Sequence, residues 1–293
     1  MIQLSKLEEL LGINARNIDY VFHHNPRKFF PLVDNKLTTK KLLAQHHLPH
    51  PRMILSLESL LQLDQAMGKI QQLDSMVIKP ARGMGGTGIL VVFPGESKET
   101  WQTASGQALT LNDIREHMAA ILFGVYSVDN STDQVLVEER ISVWSHWENL
   151  AFKGLPDIRV LVYRNQPVQA MLRLPTRESE GKANLHMGGV GVGINLATGI
   201  TAGATHKGQQ ITRHPDTGEV LRGWEIPNWQ RILQYSEEAS TLFSLGYMGI
   251  DWVIDQDGHE CILELNARPG IEIQNANFQG LRPLLAKVDE EPA

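Results

Sequence analysis

Two runs of alternating residues near the end of the chain, 249–255 and 260–266, predict a β-hairpin. Asp257-Gly258 lies between them, and Asp-Gly between alternating apolar residues is a strong signal for a two-residue hairpin loop. This loop would place Asp251 opposite Glu264. Because side chains alternate along a strand, one face is expected to carry Asp251, Val253, Ile262, Glu264 and Asn266. The other face is expected to enter the core with Trp252, Ile254, Leu263 and Leu265.

The expected pairing of Asp251 with Glu264 constrains the chemistry of this face. Two carboxylates directly opposite each other repel, and in a half-buried sheet the repulsion costs stability unless positive charge compensates it. Together with Asn266 they offer hard oxygen atoms, which suit Mg²⁺ with phosphate completing its coordination shell. Arg268 follows two residues after Asn266 and could hold an anion. The competing interpretation is a solvated polar face of an ordinary hairpin.

The composition indicates a globular chain and excludes several classes of function. The 293 residues are 42% hydrophobic and 20% charged, and the net charge of −6 gives no electrostatic reason to expect nucleic acid as a partner. Cys261 is the only cysteine, which excludes an intramolecular disulfide and a Cys-based metal site. The sequence has neither a signal-peptide pattern nor a run of roughly 18 apolar residues. A cytoplasmic protein without a membrane partner is therefore expected.

A glycine-rich loop in the first half of the chain predicts a phosphate site. The strand predicted at 76–80 ends near Lys79, and a second strand is predicted at 89–93. The loop between them contains Gly83, Gly85, Gly86 and Gly88. Such a loop can present backbone N–H groups to phosphate without obstruction by side chains. An ordinary flexible hairpin is the alternative.

Two further segments support a nucleotide site. A helix is expected to begin with Asp34 as its N-cap, which places Lys36 in the first turn. A cation is unfavourable there unless an anion is also bound. The strand at 135–141 runs from apolar residues into Glu138 and Glu139, and such a strand end can give an adenine its backbone hinge and an acidic partner.

Basic residues are concentrated between positions 157 and 182 although the chain is acidic overall. Alternation predicts antiparallel strands at 157–164 and 168–174, which carry Arg159 and Arg173. Lys182 follows in a polar segment. A local basic cluster in a net-negative protein indicates an anionic ligand, while charges on a solvated hairpin remain the alternative for Arg164 and Arg177. The elements together predict an α+β chain with a small lid and a larger antiparallel core.

These features resemble the ATP-grasp superfamily of carboxylate–amine ligases across residues 36–275. The resemblance is carried by the order of the motifs: Lys36 in an early helix, Lys79 before the glycine-rich loop, the hinge at Glu138-Glu139, and Asp251 followed by Glu264-x-Asn266. Within the superfamily, the chain looks most like the α-L-glutamate ligase-like branch related to RimK-type ligases, which add glutamate to a protein C-terminus. The matching segments are 157–160, 184–189 and 265–270.

Two departures from the RimK-type pattern are visible. RimK-type enzymes carry an α/β domain before the first lysine, whereas about 35 residues precede Lys36 here, so this domain is expected to be absent or reduced. Residues 181–183 read Gly-Lys-Ala instead of Phe-Arg-Ser, and Met187 replaces an arginine. Both substituted positions are expected near the amino-acid substrate.

The resemblance implies an ATP-grasp fold in which two α+β subdomains clasp ATP. The expected divisions are a short N-terminal segment (1–35), a helical entry with a glycine-loop lid (36–138) and an antiparallel-sheet core with the metal site (139–293).

The resemblance also implies a role for each candidate site residue. ATP would be bound by Lys36, Lys79, Gly83, Gly85, Gly86, Gly88, Glu138, Glu139 and Ile141. One or two Mg²⁺ ions, with Mn²⁺ possible, would be held by Asp251, Glu264 and Asn266. The catalytic residues would be Arg268 and Arg173. The substrate would contact Arg159, Lys182, Asn184 and His186.

The implied reaction is ATP-dependent amide formation through an acyl phosphate. An amino acid, glutamate or similar, would be added to a small carboxylate or to a peptide or protein C-terminus, and a homo-oligomer is possible. Two alternatives stay open: an ATP-binding regulatory module without ligase turnover, and a phosphotransferase to a hydroxyl acceptor with His186 as its general base.

Overall fold

The computed structural model describes residues 8–83, 85–97, 100–127 and 131–290, so Met84 of the glycine-rich loop lies outside the described residues. The described residues form two compact units. The first unit comprises the described part of Met1–Val33, His46–His50 and Ile141–Ala293, and the second comprises Asp34–Gln45 and Pro51–Arg140. Within these ranges, no helix combines the length and apolar character needed to cross a bilayer.

The helices range from single turns to four turns. In chain order they are α1 (Ile13–Ala15), α2 (Phe22–His24), α3 (Pro31–Asp34), α4 (Lys36–Gln45), α5 (Leu63–Ile70), α6 (Leu111–Leu122), α7 (Trp229–Phe243), α8 (Ile273–Ala276) and α9 (Leu281–Glu290). A π-helical segment, Arg16–Val21, joins α1 to α2.

The cap of α4 differs from the sequence prediction. Asp34 ends α3, and the side chain of Asn35 accepts hydrogen bonds from the backbone N–H groups of Leu37 and Thr38 at 3.0 and 3.1 Å. The prediction of Asp34 as the cap is therefore wrong by one residue, because Asn and Asp cap helices about equally well. Lys36 is still the first residue of the helix.

The strands are β1 (Met53–Leu57), β2 (Met76–Pro80), β3 (Leu90–Pro94), β4 (Trp101–Gln102), β5 (Ala108–Leu109), β6 (Val135–Glu138), β7 (Asp157–Tyr163), β8 (Gln166–Leu174), β9 (Val190–Ile194), β10 (Thr201–His206), β11 (Gln209–Ile211), β12 (Tyr247–Ile254) and β13 (Glu260–Asn266).

The second unit is built on a six-stranded antiparallel sheet in the order β1-β6-β2-β3-β4-β5. Helices α5 and α6 contribute their apolar stripes to one core with the sheet, including the buried residues Ile70, Ile114 and Met118. β2 pairs with β3 on either side of the glycine-rich loop, which confirms the predicted strand–loop–strand hairpin.

The first unit is built on a seven-stranded antiparallel sheet in the order β11-β10-β9-β8-β7-β12-β13. Helix α7 packs on one face, where Trp252 Nε1 donates to Ser236 Oγ at 3.1 Å. The opposite face packs against α8 and α9 through a core that includes Tyr163 and Tyr247. Asp251 lies on this second face, because it alternates with Trp252 along β12.

The hairpin of β12 and β13 has the predicted pairing at its functional end but a different loop. Asp251 pairs with Glu264, as predicted, and Gly249 pairs with Asn266. However, Asp255 pairs with His259, so the loop has three residues and places Gly258 at φ +82°. A bulge at Leu263 compensates for the extra loop residue.

The bulge changes which residues share a face. Ile262 pairs with Trp252, so the prediction that Ile262 lies on the face of Asp251 is wrong. Ile262 is fully buried instead, and its backbone N–H donates to Pro49 O at 2.8 Å. The predicted core position of Leu265 is confirmed, because this residue is buried opposite Ile250.

Asn25 fastens the N-terminal segment to the end of this hairpin. Its side-chain amide donates to Tyr247 O at 2.6 Å and to Ala267 O at 2.8 Å, and its oxygen accepts from Tyr247 N at 2.9 Å. Asn25 is almost fully buried. The three bonds satisfy backbone groups where β12 begins and β13 ends, and water does not reach them.

We predict that Asn25→Ala lowers the free energy of unfolding by about 3 kcal/mol or more, since three buried backbone groups lose their partners at about 1 kcal/mol or more each. Denaturant titration of the variant and the wild type measures the difference. Asn112→Ala, which removes an exposed side-chain bond on α6, should cost less than about 0.5 kcal/mol. Equal losses in both variants would contradict the role given to Asn25.

Candidate active site

A buried ion cluster joins α4 to the central strands of the six-stranded sheet. Glu138 ends β6 opposite Val77 of β2, which places it on the same face as Lys79. Its Oε2 lies 2.6 Å from Lys79 Nζ, and its Oε1 lies 2.8 Å from Lys40 Nζ. Lys40 Nζ also donates to Pro51 O at 3.1 Å. The Glu138 side chain is only 2% exposed, so these contacts are made in a low-dielectric environment.

The cluster holds two positive charges against one negative charge. Burial alone would raise the pKa of Glu138, but Lys79 and Lys40 outweigh burial and hold this pKa below its ordinary value. Glu138 is therefore ionised at neutral pH. Its carboxylate holds two buried ammonium groups in place, and Lys79 is the one of them that lies on the strand entering the glycine-rich loop.

Lys36 lies at the start of the glycine-rich loop. Its Nζ donates to Gly83 O at 2.7 Å, and its backbone N–H donates to Ala81 O at 2.8 Å. Lys40 follows four residues later on the same face of α4. One helix face thus brings one lysine to the loop and a second lysine to Glu138.

The loop requires glycine at several of the predicted positions. Gly85 and Gly86 have φ values of +62° and +80°, which side chains other than glycine rarely adopt. At Gly88, a Cβ atom would lie 2.6 Å from Cγ of Tyr126. The end of the loop is also held by His117, whose Nε2 lies 3.0 Å from Gly88 O.

The predicted hinge follows β6 directly. Glu139 exchanges two hydrogen bonds with Arg52: its carboxylate accepts from Arg52 N at 2.6 Å, and its backbone N–H donates to Arg52 O at 3.0 Å. The chain passes from the second unit to the first between Arg140 and Ile141. Of the two acidic residues in the hinge, Glu138 is buried among lysines and Glu139 is partly exposed.

In the first unit, Asp251 is held by three side chains from three strands. Arg159 of β7 donates to both carboxylate oxygens, from Nε to Oδ1 and from Nη2 to Oδ2, each at 2.7 Å. Arg173 Nη2 of β8 lies 2.9 Å from Oδ2. Asn266 Nδ2 of β13 donates to Oδ2 at 3.1 Å. These arginines supply the positive charge that the pairing of Asp251 with Glu264 requires.

Asp157 extends the cluster on the same sheet face. It pairs with Arg173 across β7 and β8 and accepts from Arg173 Nε and, at 2.7 Å, from Nη2. Burial raises the pKa of Asp157 to about 6, although Arg173 acts in the opposite direction. Burial would also raise the pKa of Asp251, but Arg159 and Arg173 outweigh it and lower this pKa to about 2. Of the two buried aspartates, Asp251 is therefore the one that stays ionised far below neutral pH.

The ion pairs of Arg159 and Arg173 with Asp251 were not predicted from the sequence. Arg159 was expected to contact substrate and Arg173 to be catalytic, and both bind Asp251. Sequence reasoning missed Lys40 and Asp157 as site residues. Lys40 could have been identified because it lies four residues after Lys36, on the same helix face. Asp157 could have been identified because it lies two residues before Arg159, on the same face of β7.

The donors around Asp251 fit a hard divalent cation. Oδ1 of Asp251 accepts one hydrogen bond from the described residues, which leaves it a lone pair for a cation. Asn266 uses its Nδ2 on Asp251, and no described residue donates a hydrogen bond to its amide oxygen. Glu264, half-buried opposite Asp251, adds a carboxylate. Carboxylate and amide oxygens are the ligands that Mg²⁺ prefers.

A second acidic group lies in the β12–β13 loop and has a structural explanation. Side-chain atoms of Asp255, Asp257 and His259 lie within 4.8 Å of one another. Asp255 Oδ1 accepts from the backbone N–H groups of Asp257 and His259, at 2.9 and 2.8 Å. The carboxylate therefore shapes the turn.

The predicted substrate residues of the loop after β8 lie in one ordered segment. Thr176 Oγ1 donates to Gly188 O at 2.8 Å and closes the loop at its base. Asn184 Oδ1 accepts from His186 N at 3.0 Å. His186 Nε2 would lie 3.9 Å from a Cβ atom placed on Gly270, so it approaches the segment that follows Asn266. Lys182 lies within the same loop, where its backbone N–H donates to Ser179 O at 3.0 Å.

We predict that Glu138→Gln destabilises the second unit by about 3–5 kcal/mol, because two buried lysines would then lose the carboxylate that both contact. Adding Lys40→Met to this variant should restore part of the loss by removing one of the two charges. Thermal and denaturant unfolding measure both effects. Glu139→Gln, at the partly exposed pair with Arg52, should cost less than about 1 kcal/mol. Absence of any rescue by Lys40→Met would contradict the charge balance.

Solved structures with this architecture include ligases of low sequence identity. The ATP-grasp ligase PsnB, in complex with a minimal precursor, is 16% identical with a TM-score of 0.50, over 91% of this chain and 63% of that chain. A D-alanyl-alanine synthetase A from Vibrio cholerae is 15% identical (TM-score 0.47; 90% and 62%). A D-alanine–D-alanine ligase from Bacillus anthracis, complexed with ATP, is 12% identical (TM-score 0.48; 89% and 62%).

The chain thus spans less than two thirds of the length of each of these proteins. No curated protein sequence matches the chain. At this identity the likeness to PsnB shows the fold alone, and it confirms the α+β ATP-grasp fold expected from the sequence. The closer resemblance to RimK-type ligases is not confirmed. The model of the sugar-transfer associated ATP-grasp family matches residues 15–290, nearly the whole chain, and the chain therefore belongs to that family.

Proposed function

We propose that the chain is an ATP- and Mg²⁺-dependent carboxylate–amine ligase that forms an amide bond through an acyl phosphate. The observation that carries the proposal is the pairing of Asp251 with Glu264 on the sheet face that also holds Asn266. This arrangement collects three oxygen-bearing side chains where two arginines already keep one carboxylate ionised. The grouping of these oxygen atoms supports a cation site, because burying carboxylates beside one another is costly without positive charge.

The residues of each unit support a separate part of the reaction. Asp251, Glu264 and Asn266 would hold Mg²⁺, which when bound neutralises charge on the β and γ phosphates of ATP. Lys79, held in place by Glu138, and Lys36 at the glycine loop would hold phosphate oxygens. The backbone after Glu138, through Glu139 and Ile141, would contact adenine. Catalysis would consist mainly of positioning and charge neutralisation.

The remaining candidate residues would orient the acceptor. Arg159 and Arg173 anchor Asp251 and present guanidinium groups beside it, where they would also attract a substrate carboxylate. Arg268 would steady the transferring phosphate or the tetrahedral oxyanion. Lys182, Asn184 and His186 would contact the amino acid or the acceptor. Closure of the glycine loop would exclude water and protect the acyl phosphate from hydrolysis.

The chemical class of the acceptor is the finer part of the proposal. PsnB is described as bound to a precursor peptide, which supports testing peptide carboxylates. The family is described as sugar-transfer associated, which supports testing sugar acids and amino sugars as acceptor and amine. Glutamate and similar amino acids stay in the panel because of the RimK-type resemblance.

We expect ADP release that depends on both a carboxylate and an amine when the protein is incubated with ATP, Mg²⁺ and these compounds, with an amide in the product mass spectrum. Glu264→Gln should lower this rate by about 10²–10³-fold, since a charged group that acts on the phosphates is lost. Asp251→Asn is a poorer test, because it also removes the counter-charge of Arg159 and Arg173.

Glu237→Gln, on the exposed surface of α7, is the matched control and should leave the rate unchanged. Tight Mg²⁺–ATP binding without ADP release from any acceptor would contradict the proposal in favour of a regulatory module. A phosphorylated hydroxyl product would contradict it in favour of a phosphotransferase.

A further inference from the structure

The guanidinium group of Arg16 is buried without a protein acceptor for two of its nitrogens. Arg16 begins the π-helical segment and is only 6% exposed. Among the described residues, none accepts a hydrogen bond from its Nε or Nη1, and both atoms are fully buried. A buried cation without a partner is costly, so most buried charges in proteins are paired.

A second unpartnered donor lies close to Arg16. The Tyr247 hydroxyl is fully buried and forms no hydrogen bond with any described residue. Burial raises the pKa of Tyr247, while the charge of Arg16 acts to lower it, so the two groups lie within electrostatic range of each other. Burial lowers the pKa of Arg16, and the positive charge of Arg268 lowers it further.

Firm contacts hold these groups in place. Asn25, from the same N-terminal segment as Arg16, bonds to the backbone of Tyr247 and of Ala267, the residue before Arg268. The guanidinium carbon of Arg268 lies 4.9 Å from the centre of the Phe30 ring. Arg16, Tyr247 and Arg268 thus lie near the end of the β12–β13 hairpin, and the buried charge of Arg16 favours an anion there.

We propose that Arg16 and Tyr247, beside Arg268, form an oxyanion site that binds a phosphate or carboxylate group of the acceptor substrate. The anion would accept hydrogen bonds from the buried donors of Arg16 and Tyr247 and compensate the charge of Arg16. The assignment to the acceptor rests on the proposed function, whereas the anion site itself stands on the contacts described here.

Tyr247 lies on the same face of β12 as Asp251, four residues away, so the Cα atoms of these two residues are about 13 Å apart at ~3.3 Å per residue. The proposed anion site therefore belongs to the sheet face that carries the candidate metal donors.

The test is the binding of inorganic phosphate and of malonate to the full chain in Mg²⁺-free buffer, measured by calorimetry. We expect the wild type to bind at least one of them, and Arg16→Met to bind it at least about tenfold more weakly, as loss of charge-assisted hydrogen bonds requires. Lys79→Met should bind it as the wild type does, which separates this site from the ATP phosphates. Phosphate alone, or malonate alone, would identify the class of the anion.

The melting temperature of the Arg16 variant distinguishes an arginine that binds a ligand from an arginine that stabilises the fold. Without anion, Arg16→Met should melt at the same temperature as the wild type or about 2 °C or more above it, because a buried unpaired charge is removed. Tyr247→Phe, a smaller change, should weaken anion binding several-fold without lowering the melting temperature. Arg222→Met, an exposed arginine of the same unit, is the matched control and should change neither quantity.

Three outcomes would overturn the inference: no binding of either anion to the wild type, unchanged binding by Arg16→Met and Tyr247→Phe, or a lowered melting temperature of both variants with unchanged binding. None of these measurements requires turnover. A failure of ADP release would therefore overturn the proposed ligase activity and leave the anion site standing. With an active acceptor in hand, Arg16→Met should raise KM for anionic acceptors at least tenfold and change kcat much less.

Discussion

The carboxylate of Asp251 is the group on which the rest of the candidate site depends. It receives hydrogen bonds from β7, β8 and β13, so a single side chain fixes the relative positions of three strands at the functional end of the sheet. The cost of burying it opposite Glu264 is offset only because Arg159 and Arg173 lie beside it. Any change in Asp251 therefore alters structure and chemistry together, whereas Glu264 lies at the edge of this network.

The two units carry different chemistry. In the first unit, Arg159 and Arg173 lie beside Asp251 on the sheet face that also carries Glu264 and Asn266. In the second unit, Lys40 and Lys79 both contact the buried carboxylate of Glu138. Under the proposed function, the first unit offers oxygen donors to a cation and the second offers lysines to a phosphate. The match to the ATP-grasp family model spans both units.

Much of this was predictable because it follows from local patterns. The glycine loop, the strands on either side of it and the pairing of Asp251 with Glu264 come from alternation and turn signals. The hairpin pairing is correct because the three-residue loop and the bulge at Leu263 cancel; either one alone would have shifted Glu264. The contacts of Arg159 and Arg173 with Asp251 could not be predicted in the same way, because these residues are separated by 92 and 78 positions in the sequence. Arg16 carries no periodic signal, and only its burial reveals it.

In the proposed function, Asp251, Glu264 and Asn266 hold the metal of a magnesium–ATP complex. The most direct test is a crystal structure of the protein with Mg²⁺ and a non-hydrolysable ATP analogue. We expect a magnesium ion roughly 2.1 Å from side-chain oxygens of Glu264 and Asn266 and from Asp251 Oδ1, bridged to the β and γ phosphates. A nucleotide bound with its magnesium away from these three side chains, or with Asp251 held by the arginines alone, would contradict the account.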